Sequence, residues 1–253
     1  MANSESESFV RTFARGLRVI EVMGQSTGRQ NIAQVSEAAE LPRTVVRRLL
    51  LTLTELGFVK TDDKNYWLTP KVLRLGMTYL YTLPFWRRSQ VELEELGTQT
   101  KQSCAISVLD GDDIVYIQRF HSKRILSISP AIGTRLPAHA VSMGRILLAS
   151  LPDDQLHAYL GKLELRPLTS RSLASLQALQ DKIMQTRNSS YAWVDGEYDE
   201  AICGLAVPVR NQEGQIIAAL NVSLLSGEFT EEQAVAQFLP TLKLTASRLR
   251  AHS

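Results

Sequence analysis

Apolar residues between positions 11 and 59 recur at steps of three and four, the period of helices that bury one side. This pattern predicts three short helices, in FARGLRVIEVM, NIAQVSEAAE and LPRTVVRRLLLTLTELGFV, the first with one apolar side formed by Leu17, Ile20 and Met23. Asn31 followed by Gln34 is typical of a capping box, and Gly57 predicts the end of the third helix. The next segment, FVKTDDKNYWLTP, alternates around a polar turn and predicts a hairpin. Three helices and a hairpin describe a winged helix-turn-helix.

The third predicted helix separates an apolar side from a cationic one. At 100° per residue, one side collects Val46, Leu49, Leu50, Leu53 and Leu56. Thr44 points away from these apolar residues, with Arg47 and Arg48 to either side of it. Arg43 adds a further positive charge at the start of the helix. Leu51 also points outward, either toward a thymine methyl group or onto the wing. This arrangement suits a helix laid in the major groove of DNA, because arginine pairs with guanine edges and phosphates.

Two further cationic positions extend this hypothesis. Arg15 shares one side of the first helix with Arg11 and Arg18, which either contact phosphates or form a solvated face. Lys64 lies in the turn of the predicted wing. We therefore expect double-stranded DNA to be contacted by the residues Arg15, Arg43, Thr44, Arg47, Arg48 and Lys64.

The remainder of the chain predicts a connecting pair of helices and a mixed domain. Residues 71–102 form two predicted helices that meet near Pro84, either as a dimerising surface or as a pair packed on its own domain. Beyond them, SCAISVL and IVYIQRF predict a hairpin, RILSISP a third strand, and GLAVPVRN with QIIAALNVSLL a second hairpin. Helices are predicted in AHAVSMGRILLASL, PDDQLHAYL, SLASLQALQDKIMQTRN and EEQAVAQFLPTLKLTASRLR. Antiparallel strands with segregated helices indicate an α+β fold.

Composition narrows the class of protein. The chain has 253 residues, is 44% hydrophobic and 21% charged, and carries a net charge of +2, so any nucleic-acid site must be local. Two cysteines are too few for a disulfide framework and favour a reducing compartment. The sequence shows neither a signal peptide nor an apolar stretch of about 20 residues. These features predict a cytoplasmic protein without membrane contact. The expected division is a disordered tail at 1–10, a DNA-binding domain at 11–70, linker helices at 71–102 and a second domain at 103–253.

Residues typical of enzymes do not form a recognisable set. The sequence contains no glycine-rich phosphate loop, GxSxG or HExxH, and its four histidines lack metal-ligand spacing to the cysteines. Cys104 and Cys203 lie in apolar strands, as inert thiols do. We expect no cofactor and no metal. The weaker alternative is a redox enzyme that uses these two cysteines.

Several segments together resemble the IclR family of bacterial transcription regulators. They are RTFARGLRVIEVM, LPRTVVRRLLLTLTELGFV, LPAHAVSMGRILLA, VDGEYDEAICGLAVPV and AALNVS, and they cover nearly the whole chain after residue 10. The ARGL, PKVLRLG, SMGRILLA and LAALNVS segments are most similar to family members that regulate the protocatechuate and 4-hydroxybenzoate branch of the β-ketoadipate pathway.

This resemblance implies an N-terminal winged helix-turn-helix, a linker helix and a C-terminal GAF/PAS-like effector domain, assembled as a homodimer or a dimer of dimers. It also implies a small organic acid as effector, either an aromatic acid or β-ketoadipate-type dicarboxylic acid, or an unrelated acid. The implied effector pocket is lined by Ile125, Ile128, Ser142, Met143, Ile202, Gly204, Asn221 and Ser223.

Two features of this chain depart from the family pattern. Gly204 stands where many relatives carry Cys, Ser or Ala, and Arg210 replaces a small or aromatic residue. Candidate partners for the effector carboxylate are three arginines, Arg119, Arg124 and Arg135, although an ordinary surface role is favoured for each.

Overall fold

A computed structural model describes residues 8–122 and 131–250. The chain divides into two compact units, Met1–Leu80 and Tyr81–Ser253. In the two described ranges, every helix is too short or too polar to span a lipid bilayer.

The first unit contains the three predicted helices and the predicted hairpin. Its elements are α1 (Arg11–Gly24), α2 (Ile32–Ala39), α3 (Arg43–Glu55), β1 (Val59–Thr61) and β2 (Tyr66–Leu68). The capping box at α2 is present, with the Asn31 side chain accepting from the Gln34 N–H and the Gln34 side chain accepting from the Asn31 N–H. The three helices and β1 enclose a core built around Val19, Val35, Val46, Leu50 and Val59.

Two details of the predicted helix faces were wrong. Leu17 is exposed on α1, because the buried side of this helix is formed by Val19, Val22 and Met23. Leu56 is 52% exposed, since α3 ends at Glu55 and Gly57 follows with a left-handed φ of 77°. Gly57 therefore ends the helix as predicted, but the chain turns away before Leu56 can join the core.

The predicted helix pair around Pro84 is confirmed as α4 (Leu73–Thr82) and α5 (Trp86–Thr100). A turn of 3-10 helix at Pro70–Val72 leads into α4, which spans the boundary at Leu80. In the second unit, α5 packs on the sheet and on the last helix, where Arg248 lies 2.8 Å from Glu95 and 3.6 Å from Glu92.

The second unit is built on an antiparallel six-stranded sheet in the order β5-β4-β3-β8-β7-β6. The strands are β3 (Ser103–Asp110), β4 (Asp113–Phe120), β5 (Arg135–Pro137), β6 (Ala192–Asp195), β7 (Ile202–Arg210) and β8 (Ile216–Leu225). Both predicted hairpins, β3–β4 and β7–β8, are confirmed. The predicted strand RILSISP, at 124–130, lies wholly outside the described residues. Neither β5 nor β6 was predicted.

Helices cover both faces of this sheet. They are α6 (Ser142–Ala149), α7 (Asp153–Lys162), α8 (Leu176–Ser189) and α9 (Glu231–Arg250). One face carries α6, α7 and α8 over a core that includes Ala105, Ala206 and Ala219. The other carries α5 and α9, and there the Cys104 thiol reaches the Leu93 carbonyl of α5. Because side chains alternate along a strand, Asn221 and Ser223 lie on the α6 face with Ala219.

Candidate DNA-binding surface and ligand cavity

The third helix presents its polar residues on the side opposite its core. Val46, Leu49, Leu50 and Leu53 are buried. The side chains predicted to contact DNA on this helix are all exposed, namely Arg43, Thr44, Arg47 and Arg48. Leu51 is exposed as well, as its position on the helix predicts. The structure therefore brings four of the six predicted DNA contacts to one accessible helix surface.

The hairpin after α3 is braced by side chains from within its own unit. Asp62 accepts backbone N–H bonds from Asn65 and Lys64, which lower its pKa, and its other oxygen lies 2.8 Å from Arg29 Nη1. The Arg29 guanidinium also lies 4.3 Å over the Trp67 ring. Arg29 is thus engaged in holding the wing, whereas Lys64 is exposed in its turn.

The predicted contact arginines have no acidic partner among the residues that the structure describes. Within residues 8–122 and 131–250, Arg15, Arg43, Arg47, Arg48 and Lys64 form no ion pair, and Arg15 is exposed on α1. Unpaired cations at an exposed surface attract polyanions even when the net charge of the chain is small. The charge on α3 is therefore available to an external partner.

A cavity in the second unit lies between the start of α6, the ends of β7 and β8, and the segment 194–204. It holds about 600 Å³ of empty space, including its mouth. Of the eight residues predicted for the effector pocket, six line it: Ser142, Met143, Ile202, Gly204, Asn221 and Ser223. Ile125 and Ile128 lie outside the described residues.

Backbone and side-chain donors gather at one end of this cavity. The first-turn N–H groups of an α-helix have no partner within the helix. In α6, which begins at Ser142, no side chain caps them either. A Cβ atom at Gly204 would lie 2.8 Å from Ser142 Oγ, so the absence of a side chain at Gly204 leaves room for this hydroxyl. The Asn221 amide donates to Ser223 Oγ at 3.2 Å, while its buried oxygen has no hydrogen-bond partner among the described residues.

Charged and aromatic side chains form another part of the wall. Arg145 is only 1% exposed and its Nη2 lies 2.5 Å from Glu197 Oε2, which faces the cavity. Burial raises the pKa of Glu197, and the Arg145 charge opposes that rise. Burial also raises the pKa of Tyr116, another lining residue, to about 12, so its phenol stays protonated near neutral pH.

Of the three arginines considered as carboxylate partners, one lines the cavity. Arg119 is this lining residue, and its guanidinium lies 5.8 Å from the centre of the Tyr116 ring. Arg135 instead pairs with Asp110 and Asp113 and is not part of the lining, and Arg124 lies outside the described residues. The sequence reasoning missed Tyr116, although it shares a face of β4 with the buried Ile114. It also missed the Arg145–Glu197 pair, which joins residues far apart in the chain.

The two cysteines are buried apart from each other. Cys104 contacts the Leu93 carbonyl on one face of the sheet, and Cys203 contacts the Leu225 carbonyl. Burial raises the pKa of each thiol to about 12, which suppresses the reactive thiolate. In the part of the chain that the structure describes, His, Cys, Asp and Glu side chains form no cluster suited to a metal ion.

Two family descriptions match this chain over distinct segments. Residues 12–63 match the IclR helix-turn-helix domain, and residues 77–251 match the C-terminal domain of the bacterial transcriptional regulator IclR. The second match alone covers more than half of the chain.

Individual relatives agree with these matches. The Pca regulon regulatory protein of Pseudomonas putida is 40% identical over 96% of this chain and 84% of its own. A crystal structure of a transcriptional regulator from Rhodococcus sp. RHA1 superposes with a TM-score of 0.85 at 39% identity, over 96% of this chain and 98% of that one. The inducer-binding domain of a PobR double mutant from Acinetobacter, in complex with 3-hydroxybenzoic acid, superposes with a TM-score of 0.61 at 31% identity. The match covers 66% of this chain and 97% of that one. The chain belongs to the IclR family, whose members are transcription regulators and not enzymes.

Proposed function

We propose that this regulator binds a double-stranded DNA operator through α3 and the wing, and that a small aromatic acid in the second unit controls that binding. The observation that carries the proposal is the unpaired, exposed set of arginines on α3, opposite a well-packed apolar side. Arg43, Thr44, Arg47 and Arg48 would contact the major groove, with Arg15 and Lys64 contacting phosphates. The operator lies in the bacterial cytoplasm, where two free thiols also remain reduced.

The cavity supports the effector part of the proposal. Its apolar wall, which includes Met143, Ile202 and Leu136, can cover an aromatic ring. The uncapped start of α6 offers N–H groups to a carboxylate, and Ser142 and Ser223 add hydroxyls. A relative in this family has been crystallised with 3-hydroxybenzoic acid, and another is named for the Pca regulon. An aromatic acid of the protocatechuate or 4-hydroxybenzoate type is therefore our first choice of effector, ahead of a β-ketoadipate-type dicarboxylic acid.

The proposal assigns DNA binding to residues 11–70, the connection to 71–102 and effector binding to 103–253. It also includes assembly as a homodimer or a dimer of dimers. Supporting this, α1 and the residues before it expose an apolar stripe at four-residue spacing, formed by Phe9, Phe13 and Leu17, with Phe13 68% exposed. A helix face of this kind is a frequent contact between identical chains.

The proposed function is tested by fluorescence anisotropy of an operator fragment recovered by selection from random DNA. Arg47→Ala and Arg48→Ala should each weaken binding by about 1–3 kcal/mol if the side chain reads a base edge. Arg166→Ala is the control, because Arg166 is an exposed arginine of the second unit paired with Glu164. Adding 4-hydroxybenzoate or protocatechuate should change the affinity of the wild type. Operator binding that is equal in all three variants would contradict the assignment of α3.

A further inference from the structure

Two shallow depressions meet at the end of β7, away from the ligand cavity. They hold about 560 and 510 Å³ including their mouths, and they share Ser190, Pro208 and Arg210. Neither has a lining residue in common with the ligand cavity. We call the combined depression the β7 groove. It runs from α9 on one face of the sheet to α6 and α8 on the other.

The β7 groove is lined by cationic side chains, and neither Arg210 nor Lys243 has an acidic partner within the described ranges. Its lining includes Arg210, Lys243 and Arg250, and among the residues that the structure describes no Asp or Glu contributes to it. Arg187 also lines the groove, but its charge is matched by Asp153, 2.6 Å from Nη1. Cations that share a concave surface repel one another, so an anion bound between them removes this repulsion.

Two of these side chains are held in place by the β7–β8 turn. Arg210 donates through Nη1 to the Gly214 carbonyl at 2.8 Å, and Arg250 donates to the carbonyls of Asn211 and Gln212. Backbone carbonyls fix the direction of a guanidinium without neutralising it. The remaining N–H groups of the half-buried Arg210 therefore stay available to a ligand, as does the Lys243 ammonium.

Apolar surface lies beside these donors. Val207, Pro208 and Ala246 line the α9 end, and Ile146 and Ile216 line the other end. A simple inorganic ion would leave this apolar surface uncovered, whereas an organic anion would contact both the cationic donors and the apolar surface. We propose that the β7 groove is a second ligand site, which binds a small organic anion with a carboxylate or phosphate group and an apolar body.

The test is calorimetric titration of the full-length protein with phenyl phosphate at low ionic strength. Lys243→Gln and Arg210→Gln should each weaken binding on the order of tenfold, as expected for a charge-assisted hydrogen bond. Lys162→Gln removes an exposed lysine of α7 outside the groove and should leave binding unchanged. Ile202→Trp fills the ligand cavity, which Ile202 lines, and should also leave phenyl phosphate binding unchanged. Raising the salt concentration should weaken binding in the wild type.

Lys243 is exposed and forms no hydrogen bond or ion pair within the described residues, so its replacement tests the groove even if Arg210→Gln disturbs the turn. Wild-type affinity in Lys243→Gln, or loss of binding in Ile202→Trp, would overturn the proposal. Competition then identifies the preferred headgroup: benzoate displaces phenyl phosphate from a carboxylate site, and inorganic phosphate displaces it from a phosphate site. Failure of both to compete would overturn the proposal too. None of these outcomes depends on operator binding.

Discussion

The buried oxygen of Asn221 is a single atom with a defined energetic consequence. A buried amide oxygen without a hydrogen bond costs about 1–3 kcal/mol relative to one that is satisfied. A ligand hydroxyl that donates to this oxygen recovers that cost, whereas the ligand carboxylate is better served by the N–H groups that begin α6. We therefore expect Asn221 to distinguish hydroxylated aromatic acids from their unsubstituted parents.

We predict that Asn221→Ala lowers the affinity for 4-hydroxybenzoate by about 1–2 kcal/mol, the usual effect of one lost hydrogen bond. The affinity for benzoate, which lacks the hydroxyl, should change much less. Calorimetric titration of the wild type and of Asn221→Ala with each acid measures the two changes in affinity. Operator binding without ligand serves as the control. An equal loss for the two acids would show that Asn221 contacts the carboxylate or the ring instead.

The thiols provide a second prediction at this scale. With pKa values near 12, roughly one cysteine side chain in 10,000 is ionised at pH 8, and both side chains are buried. Iodoacetamide should leave Cys104 and Cys203 unmodified in the native protein and alkylate both in urea. Mass spectrometry of the two samples checks this. Rapid native modification of Cys104 would show that its strand opens to solvent, and that of Cys203 would show that the reagent reaches it through the ligand cavity, which it lines, or through an opened strand.

Among the elements, α6 has a position that depends on a missing side chain. A Cβ atom at Gly144 would lie 2.0 Å from the Ala138 carbonyl oxygen, which belongs to a rigid turn of 3-10 helix. The close approach sets the N-terminus of α6 against the ligand cavity. The same glycine is therefore required for packing and for the geometry of the proposed carboxylate site.

We predict that Gly144→Ala destabilises the second unit by at least about 1–3 kcal/mol, because backbone cannot move aside as a side chain can. Gly161→Ala is a matched control, since Gly161 is also helical and has nothing within 4 Å of its ideal Cβ. That change should be neutral or stabilising by about 0.5–1 kcal/mol. Thermal unfolding of the two variants gives the comparison, and equal melting temperatures would refute the packing argument.

Periodicity predicted the long elements, but the short ones depended on neighbours. The hairpins β3–β4 and β7–β8 have clear apolar runs around polar turns, and both were predicted correctly. By contrast, β5 has three residues ending in Pro137, and β6 has four that precede Gly196. Strands of this length at the sheet edges form because a partner strand is already in place. The Arg145–Glu197 pair was missed for a similar reason, because only the tertiary fold brings these charges together.

For the whole molecule, the apolar stripe on α1 determines the expected assembly. A single winged unit covers one half-site, so a homodimer should bind a pseudo-palindrome with half-sites about one helical turn, or a multiple of it, apart. We predict that Phe13→Glu weakens self-association and operator binding together, because it places a charge in the stripe. Light scattering and footprinting measure the two effects. Ile132→Glu, at an exposed apolar residue of the second unit, is the control.

The prediction separates assembly from DNA contact. If Phe13→Glu remains a dimer and binds the operator normally, the stripe is not the interface. If it becomes monomeric yet protects both half-sites with unchanged affinity, then two chains are not required on the DNA.

The central strand pairing of the second unit also sets the order of events during protein synthesis. Cys104 of β3 pairs with Val222 of β8, so 118 residues of translation separate the two partners. At about 5–20 residues per second, β3 waits roughly 6–24 s for its neighbour. The first unit pairs its strands across only a few residues, from Thr61 to Tyr66, and meets no such delay. We therefore expect the first unit to fold on the ribosome while the sheet beside β3 still has an open edge, an interval in which a chaperone would protect β3 from wrong pairing.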